Sequence, residues 1–378
     1  MAGIYIHIPF CRSRCIYCGF YSTTSLEMRQ SYVDAVCREM EMRKDELGDK
    51  PLIGTLYLGG GTPSQLSIGQ LGQLFDTLYK YYKVDGQAEV TIEVNPDDVT
   101  QAFAEGLKEL PVNRVSMGAQ TLSDERLKWL RRRHTAQQVK EAVVRLRKAG
   151  IGNISIDLMY GFPGEQPESW EADIDAALSL DVEHLSAYCL MVEENTALQR
   201  LMGGDDWRDE EAERQMYERL IDRLAAAGYE HYELSNFARP GRCSRHNSSY
   251  WNDTPYIGLG AAAHSYDRKT RSWNVSDLGQ YVKGMEHGQR IFESEPIDAD
   301  THYNDLVTVA LRTREGLDLG QLEERHRQYC MKNARRFISN GLLQLWRPDG
   351  HSGLSIHLAL TRKGLFVSDM VMTELMMV

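Results

Sequence analysis

Short apolar runs alternate with longer amphipathic segments through the first half of the chain. Because these runs are apolar at successive positions, we expect both faces of each to be buried, as in the strands of a parallel sheet. Six runs predict strands: IYIHI from Ile4, TLYLG from Thr55, VTIEV from Val90, RVSMG from Arg114, NISIDLMYG from Asn153 and HLSAYCL from His184.

The segments between the runs carry the start and stop signals of helices. Ser67 with Gln70, and Thr135 with Gln138, each predict a capping box. Apolar residues then recur at helical spacing, and Gly150 marks the end of the second helix. This alternation predicts an α/β fold, either a barrel or an open parallel sheet. In both, ligands bind at the carboxyl ends of the strands.

The second half of the chain is less regular. Residues 193–215 are polar and acidic and predict a surface loop that leads into a helix, whereas residues 229–266 predict strands and loops beside the sheet. A change of composition near residue 290 predicts two domains, residues 1–290 and residues 291–378. The second has the order helix, helix, strand, polar turn RPDGHSG, strand, helix, which is typical of a small winged-helix-like α+β domain.

The charge of the chain restricts its partners. The 378 residues include 43 Lys and Arg against 54 Asp and Glu, a net charge of −11, so we expect no broad basic surface for nucleic acid or an anionic membrane. The winged-helix-like domain is therefore expected to dock a partner or act as a lid. No apolar run approaches the roughly 20 residues of a membrane anchor, and the start MAGIYIHIPFC lacks the features of a secretory signal. We expect a cytoplasmic protein.

Three of the seven cysteines lie close together. Cys11, Cys15 and Cys18 have the spacing C-x3-C-x2-C directly after the first predicted strand, and soft sulfur ligands select zinc or an iron–sulfur cluster. Zinc would need a fourth ligand nearby, and position 20 is Phe20. A [4Fe–4S] cluster on three thiolates keeps one iron open for a cofactor. The glycine run that begins at Gly59 follows the second strand, where its backbone can approach a ligand.

The segments IHIPFCRSRCIYCGF, GGGTP, TIEVNP, RVSMGAQ and NISIDLMYGFPGE, in this order, resemble the radical S-adenosylmethionine (SAM) superfamily and its oxygen-independent coproporphyrinogen III oxidase-like branch. The resemblance covers essentially the whole chain. It implies a (β/α)6 partial TIM barrel with a [4Fe–4S] cluster on the three cysteines. It also implies that SAM binds to Tyr5, Gly60, Gly61, Thr62, Glu93, Gln120, Arg132 and Asp157. Arg132 lies in a run of three arginines that also fits a solvated helix face.

Two functional classes compete within this branch. One is the coproporphyrinogen III dehydrogenase of porphyrin biosynthesis, which uses a 5′-deoxyadenosyl radical; the other is a haem chaperone that hands haem to an apo-haemoprotein. Phe20 stands where the dehydrogenase has a further cysteine, and a cluster that begins at Cys11 leaves no room for the dehydrogenase's N-terminal extension. The resemblance therefore favours the chaperone. A radical enzyme acting on another substrate, such as RNA, stays open, as does the choice between a monomer and a homodimer.

The stretch RHNSSYW resembles the HNxxYW motif of the chaperone type and implies a haem site. His246 is the predicted haem ligand, because a neutral imidazole is a common axial ligand of haem iron. Cys243 is a rival ligand, and His264 could line the same pocket. Outside the family context, a histidine in a Tyr- and Ser-rich loop more often forms ordinary hydrogen bonds.

Overall fold

The computed structural model describes residues 1–48, 51–203, 207–347 and 356–377. All six predicted strands are confirmed, and most extend by a few residues at one or both ends. They are β1 (Ala2–Ile8), β2 (Ile53–Gly60), β3 (Val84–Val94), β4 (Arg114–Gln120), β5 (Ile154–Tyr160) and β6 (His184–Cys189). They pair in chain order and run parallel.

Helices connect these strands. They are α1 (Arg29–Met42), α2 (Ile68–Tyr81), α3 (Gln101–Gly106), α4 (Asp124–Trp129), α5 (Ala136–Lys148) and α6 (Pro167–Leu178). Both predicted capping boxes are present, at Ser67 and Thr135. Gly150, just after α5, has a φ of +88°, a conformation that glycine adopts at little cost. In the described ranges no helix is long and apolar enough to cross a membrane.

The strand order places β1 in the interior of the sheet. Further elements follow β6: α7 (Ala197–Met202), α8 (Glu210–Ala226), β7 (Glu230–Glu233), β8 (Asn236–Ala238), α9 (Arg245–Trp251), β9 (Tyr256–Leu259), β10 (His264–Tyr266), β11 (Thr270–Asn274), α10 (Leu278–Glu286) and β12 (Phe292–Pro296). The order is β12-β11-β10-β9-β1-β2-β3-β4-β5-β6-β8-β7, and β9 is parallel to β1. Strands β1 to β6 follow one another across the sheet in chain order, as the strands of a barrel do. In a doubly wound sheet the strand order changes direction part of the way across.

Both faces of the strands are buried, as predicted, but the prediction that both faces are apolar is wrong. On the outer face, Ile4, Ile6 and Ile8 have no exposed area and belong to the main core together with residues of α1 and α2. The inner face is largely polar: in register across the sheet, Tyr5, Tyr57, Thr91 and Arg114 form one row, and Glu93, Ser116, Ser155 and His184 form the next. Mutual hydrogen bonds, such as the 2.7 Å contact between Ser155 and His184, lower the cost of burying these groups.

The prediction of a loop for the HNSSYW segment is also wrong, because these residues form the helix α9. Ser244 is its N-cap and accepts a hydrogen bond from the Asn247 N–H. Glu89 accepts from the N–H groups of Arg245 and His246, both at 2.9 Å, and so places a carboxylate at the start of the helix.

A second, smaller core lies at the end of the chain. Its elements are α11 (Ala299–Ala310), β13 (Leu317–Asp318), α12 (Glu324–Ser339), β14 (Leu343–Trp346), β15 (His357–Leu360), α13 (Arg362–Leu365) and α14 (Ser368–Leu375), with the sheet order β13-β15-β14. The predicted helices and both strands of this part are present, and β13 is an addition. The turn RPDGHSG lies outside the described residues except for Arg347. The boundary at residue 290 stays a prediction; β12, which follows it, pairs with β11 of the large sheet.

Candidate cofactor site

The three clustered cysteines lie on a loop at the carboxyl end of β1. Ile16, within this loop, is 3% exposed and packs in an apolar cluster with Leu130, Leu190 and Leu198. Its backbone N–H donates to the carbonyl of Leu130 at 3.3 Å, and its carbonyl accepts from the N–H of Leu198 at 2.8 Å. The loop is therefore held against the segments that follow β4 and β6, while its thiols stay partly accessible.

A chain of polar contacts joins two of the cysteines. The Arg132 guanidinium donates to the Cys15 Sγ at 3.3 Å and to the Asn95 Oδ1 at 2.7 Å. Asn95 donates in turn to the Thr62 Oγ1 at 3.2 Å, and this oxygen lies 3.4 Å from the Cys11 Sγ. A solvated helix face is therefore the wrong interpretation of Arg132. Asn95, whose role the sequence did not reveal, sits in the quoted segment TIEVNP.

The cysteine loop is the candidate metal site of the chain. Among the described residues, no group of three or more His, Cys, Asp or Glu side chains is arranged to hold a single metal ion. A single zinc ion needs all its ligands within bonding distance of one atom, whereas an iron–sulfur cluster takes one thiolate on each of several irons. Three thiols on one loop are soft donors of the kind that an iron–sulfur cluster takes.

The glycine run is required by close packing around β1 and β2. At Gly60, where φ is +104°, a Cβ would lie 2.4 Å from the His7 ring. At Gly61 it would lie 2.8 Å from the carbonyl oxygen of Ile8, immediately before the cysteine loop. The Gly60 N–H donates to the Glu93 Oε2 at 3.1 Å. Gly60 and Gly61 thus bring the end of β2 against the base of the cysteine loop.

Two carboxylates lie on the inner face below this loop. Glu93 accepts a hydrogen bond from the Tyr57 hydroxyl at 2.7 Å, and burial raises the pKa of Glu93 to about 7. Burial likewise raises the pKa of Asp157 to about 6, and its Oδ1 lies 3.5 Å from the Ser116 hydroxyl. Repulsion from the Asp157 carboxylate also raises the pKa of Glu93. The inner face therefore offers acceptors for a cationic or hydroxyl-bearing ligand.

Tyr5 and Gln120 complete the predicted set. The Tyr5 hydroxyl lies 3.1 Å from the His7 Nδ1, and the His7 Nε2 lies 3.0 Å from the carbonyl of Tyr21. Since a carbonyl only accepts, His7 Nε2 carries the proton and Tyr5 donates to Nδ1. Gln120, with a φ of +68°, reaches over Gly118, where a Cβ would lie 2.8 Å from the Gln120 Nε2 and 3.3 Å from the Arg132 Nη2. In the sheet register Tyr5 pairs with Tyr57, which pairs with Thr91, so Tyr5 lies one row nearer the amino-terminal end of the strands than Glu93.

His246 lies at the opposite end of the strands. Its ring is fully buried, with Nδ1 2.9 Å from the Thr55 Oγ1 and Nε2 2.9 Å from the Tyr250 hydroxyl. It stacks on Tyr57 with 5.0 Å between ring centres, and burial lowers its pKa to about 3. In this conformation both ring nitrogens are occupied. His264, by contrast, is exposed and stacks on Trp273.

Comparisons with known proteins agree with this arrangement. The family model of the radical SAM superfamily matches residues 5–177. A protein of Bacillus subtilis (strain 168) named heme chaperone HemW is 36% identical over 332 residues, which cover 86% of this chain and 87% of the relative. Heme chaperone HemW of Mycobacterium tuberculosis is 33% identical, over 99% of this chain and 94% of the relative.

Among solved structures, coproporphyrinogen III oxidase (HemN) from Escherichia coli superposes with a TM-score of 0.83. It is 23% identical, and the match covers 99% of this chain and 89% of the other, so it establishes a shared fold. The two HemW relatives are 33–36% identical to this chain over most of their lengths, so they establish a relationship in sequence as well as in fold. The chain therefore belongs to the radical SAM superfamily and, within it, to the family of the HemW proteins.

Proposed function

We propose that this protein is a haem chaperone, which holds a [4Fe–4S] cluster and SAM, binds haem and transfers it to an apo-haemoprotein. The observation that carries the proposal is the identity of 33–36% with proteins named heme chaperone over 87–94% of their lengths. Phe20, at the position where the dehydrogenase type has a further cysteine, agrees with it and is 68% exposed beside the cysteine loop.

Cys11, Cys15 and Cys18 are the proposed cluster ligands, and Arg132 holds Cys15 through the 3.3 Å contact to its sulfur. The cluster, when bound, presents an iron atom for the amino and carboxylate groups of SAM. Gly60, Gly61, Thr62, Gln120 and Arg132 surround the loop at the strand ends, and Glu93, Asp157 and Tyr5 lie below it on the inner face. Arg132 supplies a fork of donors for a carboxylate, and Glu93 and Asp157 supply acceptors for ribose hydroxyls or a cation.

The Glu93 carboxylate leads to a prediction about pH. In the unfolded chain its pKa is the ordinary 4.5, and in the folded protein it is about 7, so between these values only the folded protein keeps the proton. The free energy of unfolding contributed by this group therefore falls as the pH rises from 4.5 to 7. At pH 8 we expect Glu93→Gln to be more stable than the wild type by about 1–3 kcal/mol, and at pH 4 to show no such gain.

The same substitution is expected to weaken SAM binding, because the cationic ligand loses an anionic partner. Urea unfolding at pH 4 and pH 8, with calorimetric titration of SAM, measures both effects. Glu89→Gln is the matched control, since Glu89 lies on the same strand and face but caps α9 at the far end. A stability gain that is equal at the two pH values would contradict the assignment of the raised pKa to Glu93.

An anaerobic haemin titration of the cluster-reconstituted, tag-free protein tests the proposed function. We expect saturable binding at about one haemin per chain, followed by the Soret band, and transfer of that haem to an apo-haemoprotein. The dehydrogenase alternative predicts instead that coproporphyrinogen III is converted to protoporphyrinogen IX, with cleavage of SAM. That conversion at catalytic rates, or the lack of saturable haemin binding, would refute the chaperone.

We further propose that the protein acts in the cytoplasm. All seven cysteines are free thiols, and reducing compartments keep thiols in this state. An oxygen-sensitive cluster on partly accessible thiols is compatible with such a compartment.

A further inference from the structure

Arg114 is a buried cation at the start of β4, on the inner face of the sheet. Its side chain is only 1% exposed and is one of the largest fully buried side chains of the described residues. Its Nε and Nη1 atoms have no hydrogen-bond partner among those residues. Burial of a charge is costly unless the charge is paired, so this guanidinium is not explained by its own local contacts.

The strand register places Arg114 behind the two carboxylates of the inner face, as seen from the cysteine loop. Arg114 pairs with Thr91, and Glu93 follows two residues later on the same strand, nearer the carboxyl end. With the usual spacing and rise of strands, this step separates two Cα atoms by about 8 Å, a distance that long side chains bridge. Asp157 pairs with Gly118, four residues beyond Arg114. A ligand at the strand ends therefore meets the two negative groups before the positive one.

The guanidinium acts on these carboxylates through space. Burial raises the pKa of Glu93 to about 7, and the positive charge of Arg114 opposes this rise. Burial likewise raises the pKa of Asp157 to about 6, and Arg114 opposes that rise too. An opposite charge favours the ionised form of an acid, so loss of Arg114 would shift Glu93 towards its protonated form at neutral pH.

The other titratable groups around Glu93 and Arg114 keep one charge state near neutral pH. Burial raises the pKa of the tyrosines that face Glu93 above the ordinary value of 10. These tyrosines are Tyr5, Tyr57, Tyr188 and Tyr250. Burial lowers the pKa of His184 and His246, which face Arg114, so both rings stay neutral. Of these groups, Glu93 is therefore the one that changes charge around pH 7.

We infer that Arg114 is a positioning residue for SAM, because its guanidinium keeps Glu93 ionised towards the ligand. The inference rests on the proposed function, in which Glu93 accepts hydrogen bonds from SAM. An ionised carboxylate binds a hydroxyl or a cation more strongly than a protonated one, since charge-assisted hydrogen bonds are the stronger kind. Arg114 lies one row further from the strand ends than Glu93, so it acts through Glu93 and not as a ligand contact.

A SAM titration of the tag-free, cluster-reconstituted protein between pH 6 and pH 9 tests this role, with Arg114→Met as the variant. Loss of the charge should move the rise of SAM affinity with pH upwards by about one pH unit. The affinity should then fall by about fivefold at pH 7 and by less than about twofold at pH 9. The amino group of SAM titrates in the same range, but it does so for every variant alike.

Three further proteins separate the charge from the shape of the side chain. Arg114→Lys keeps the charge and should keep the pH profile of the wild type. Thr91→Val is the matched control, since it removes a buried hydroxyl without a partner among the described residues and changes no charge. Its profile should equal that of the wild type. In a Glu93→Gln background, Arg114→Met should not shift the profile, because the group through which it acts is gone.

Thermal unfolding verifies that each variant is folded, and Arg114→Gln takes the place of Arg114→Met if the latter does not fold. An affinity that falls by the same factor at every pH, an unchanged profile, or a shift that persists in the Glu93→Gln background would overturn the inference. The proposed function would stand in each of these cases, since haemin binding is measured separately. If the wild type binds no SAM, the SAM part of the proposed function fails and the inference fails with it.

Discussion

Replacement of Cys15 by serine should abolish the visible absorption of the anaerobically reconstituted protein. A serine oxygen is a poor substitute for a thiolate on iron, and the substitution also removes the sulfur that Arg132 contacts at 3.3 Å. Iron and sulfide content should fall with the absorption, and SAM affinity should fall with both because the proposed open iron is lost. Absorption spectra, iron analysis and a SAM titration of the same preparation measure the three effects.

Cys37→Ser is a suitable control, since Cys37 lies on α1 against α2 and its sulfur is 3.8 Å from the carbonyl of Gln73. Its spectrum should equal that of the wild type. A Cys15→Ser protein that keeps a full complement of iron and an unchanged spectrum would show that the cluster is held elsewhere. A stably folded protein without iron would confirm that the loss is one of ligation, because Ile16 and its apolar neighbours still anchor the loop.

The second large effect concerns stability. His246→Ala should lower the free energy of unfolding by about 2–4 kcal/mol, because it leaves a cavity beside Tyr57 and deprives the Thr55 and Tyr250 hydroxyls of their partner. Urea unfolding followed by near-ultraviolet circular dichroism measures the change. The folded fraction should bind haemin with the spectrum of the wild type, since both ring nitrogens are already hydrogen-bonded within the protein.

His264→Ala removes a histidine of the opposite kind, exposed and stacked on Trp273, and should change stability by less than about 0.5 kcal/mol. If His246→Ala were as stable as the wild type but lost the haem spectrum, His246 would be a haem ligand after all. The helix α9 would then have to rearrange on binding, because both ring nitrogens are hydrogen-bonded in the structure.

Much of the barrel could be predicted from local patterns. Short, largely apolar runs predicted the six parallel strands, and Ser67 and Thr135 predicted capping boxes that the structure confirms. These signals are short-range, since each depends on residues within one turn or one strand. The loop position of Cys11, Cys15 and Cys18 followed from the same logic, because it needed only the end of the first strand.

The failures share a long-range cause. The polar inner face was missed because Tyr57 and Glu93 find their partners across neighbouring strands, not along the chain. The helix α9 was missed because it has only seven residues and its start is stabilised by Glu89, far away in sequence. The role of Asn95 could not be predicted either, because it depends on hydrogen bonds with Arg132 and Thr62, which are distant in the chain.

The pairing of β1 has a consequence for synthesis of the protein on the ribosome. Gly3 pairs with Tyr256 of β9, so the strand that leads into the cysteine loop keeps one open edge until residue 256 has been made. At about 5–20 residues per second that takes roughly ten to fifty seconds. An unpaired edge of this kind can join the wrong strand, so the nascent chain has to be shielded during that interval. Iron that binds before β9 pairs with β1 would bind to a cysteine loop whose preceding strand is not yet fully paired.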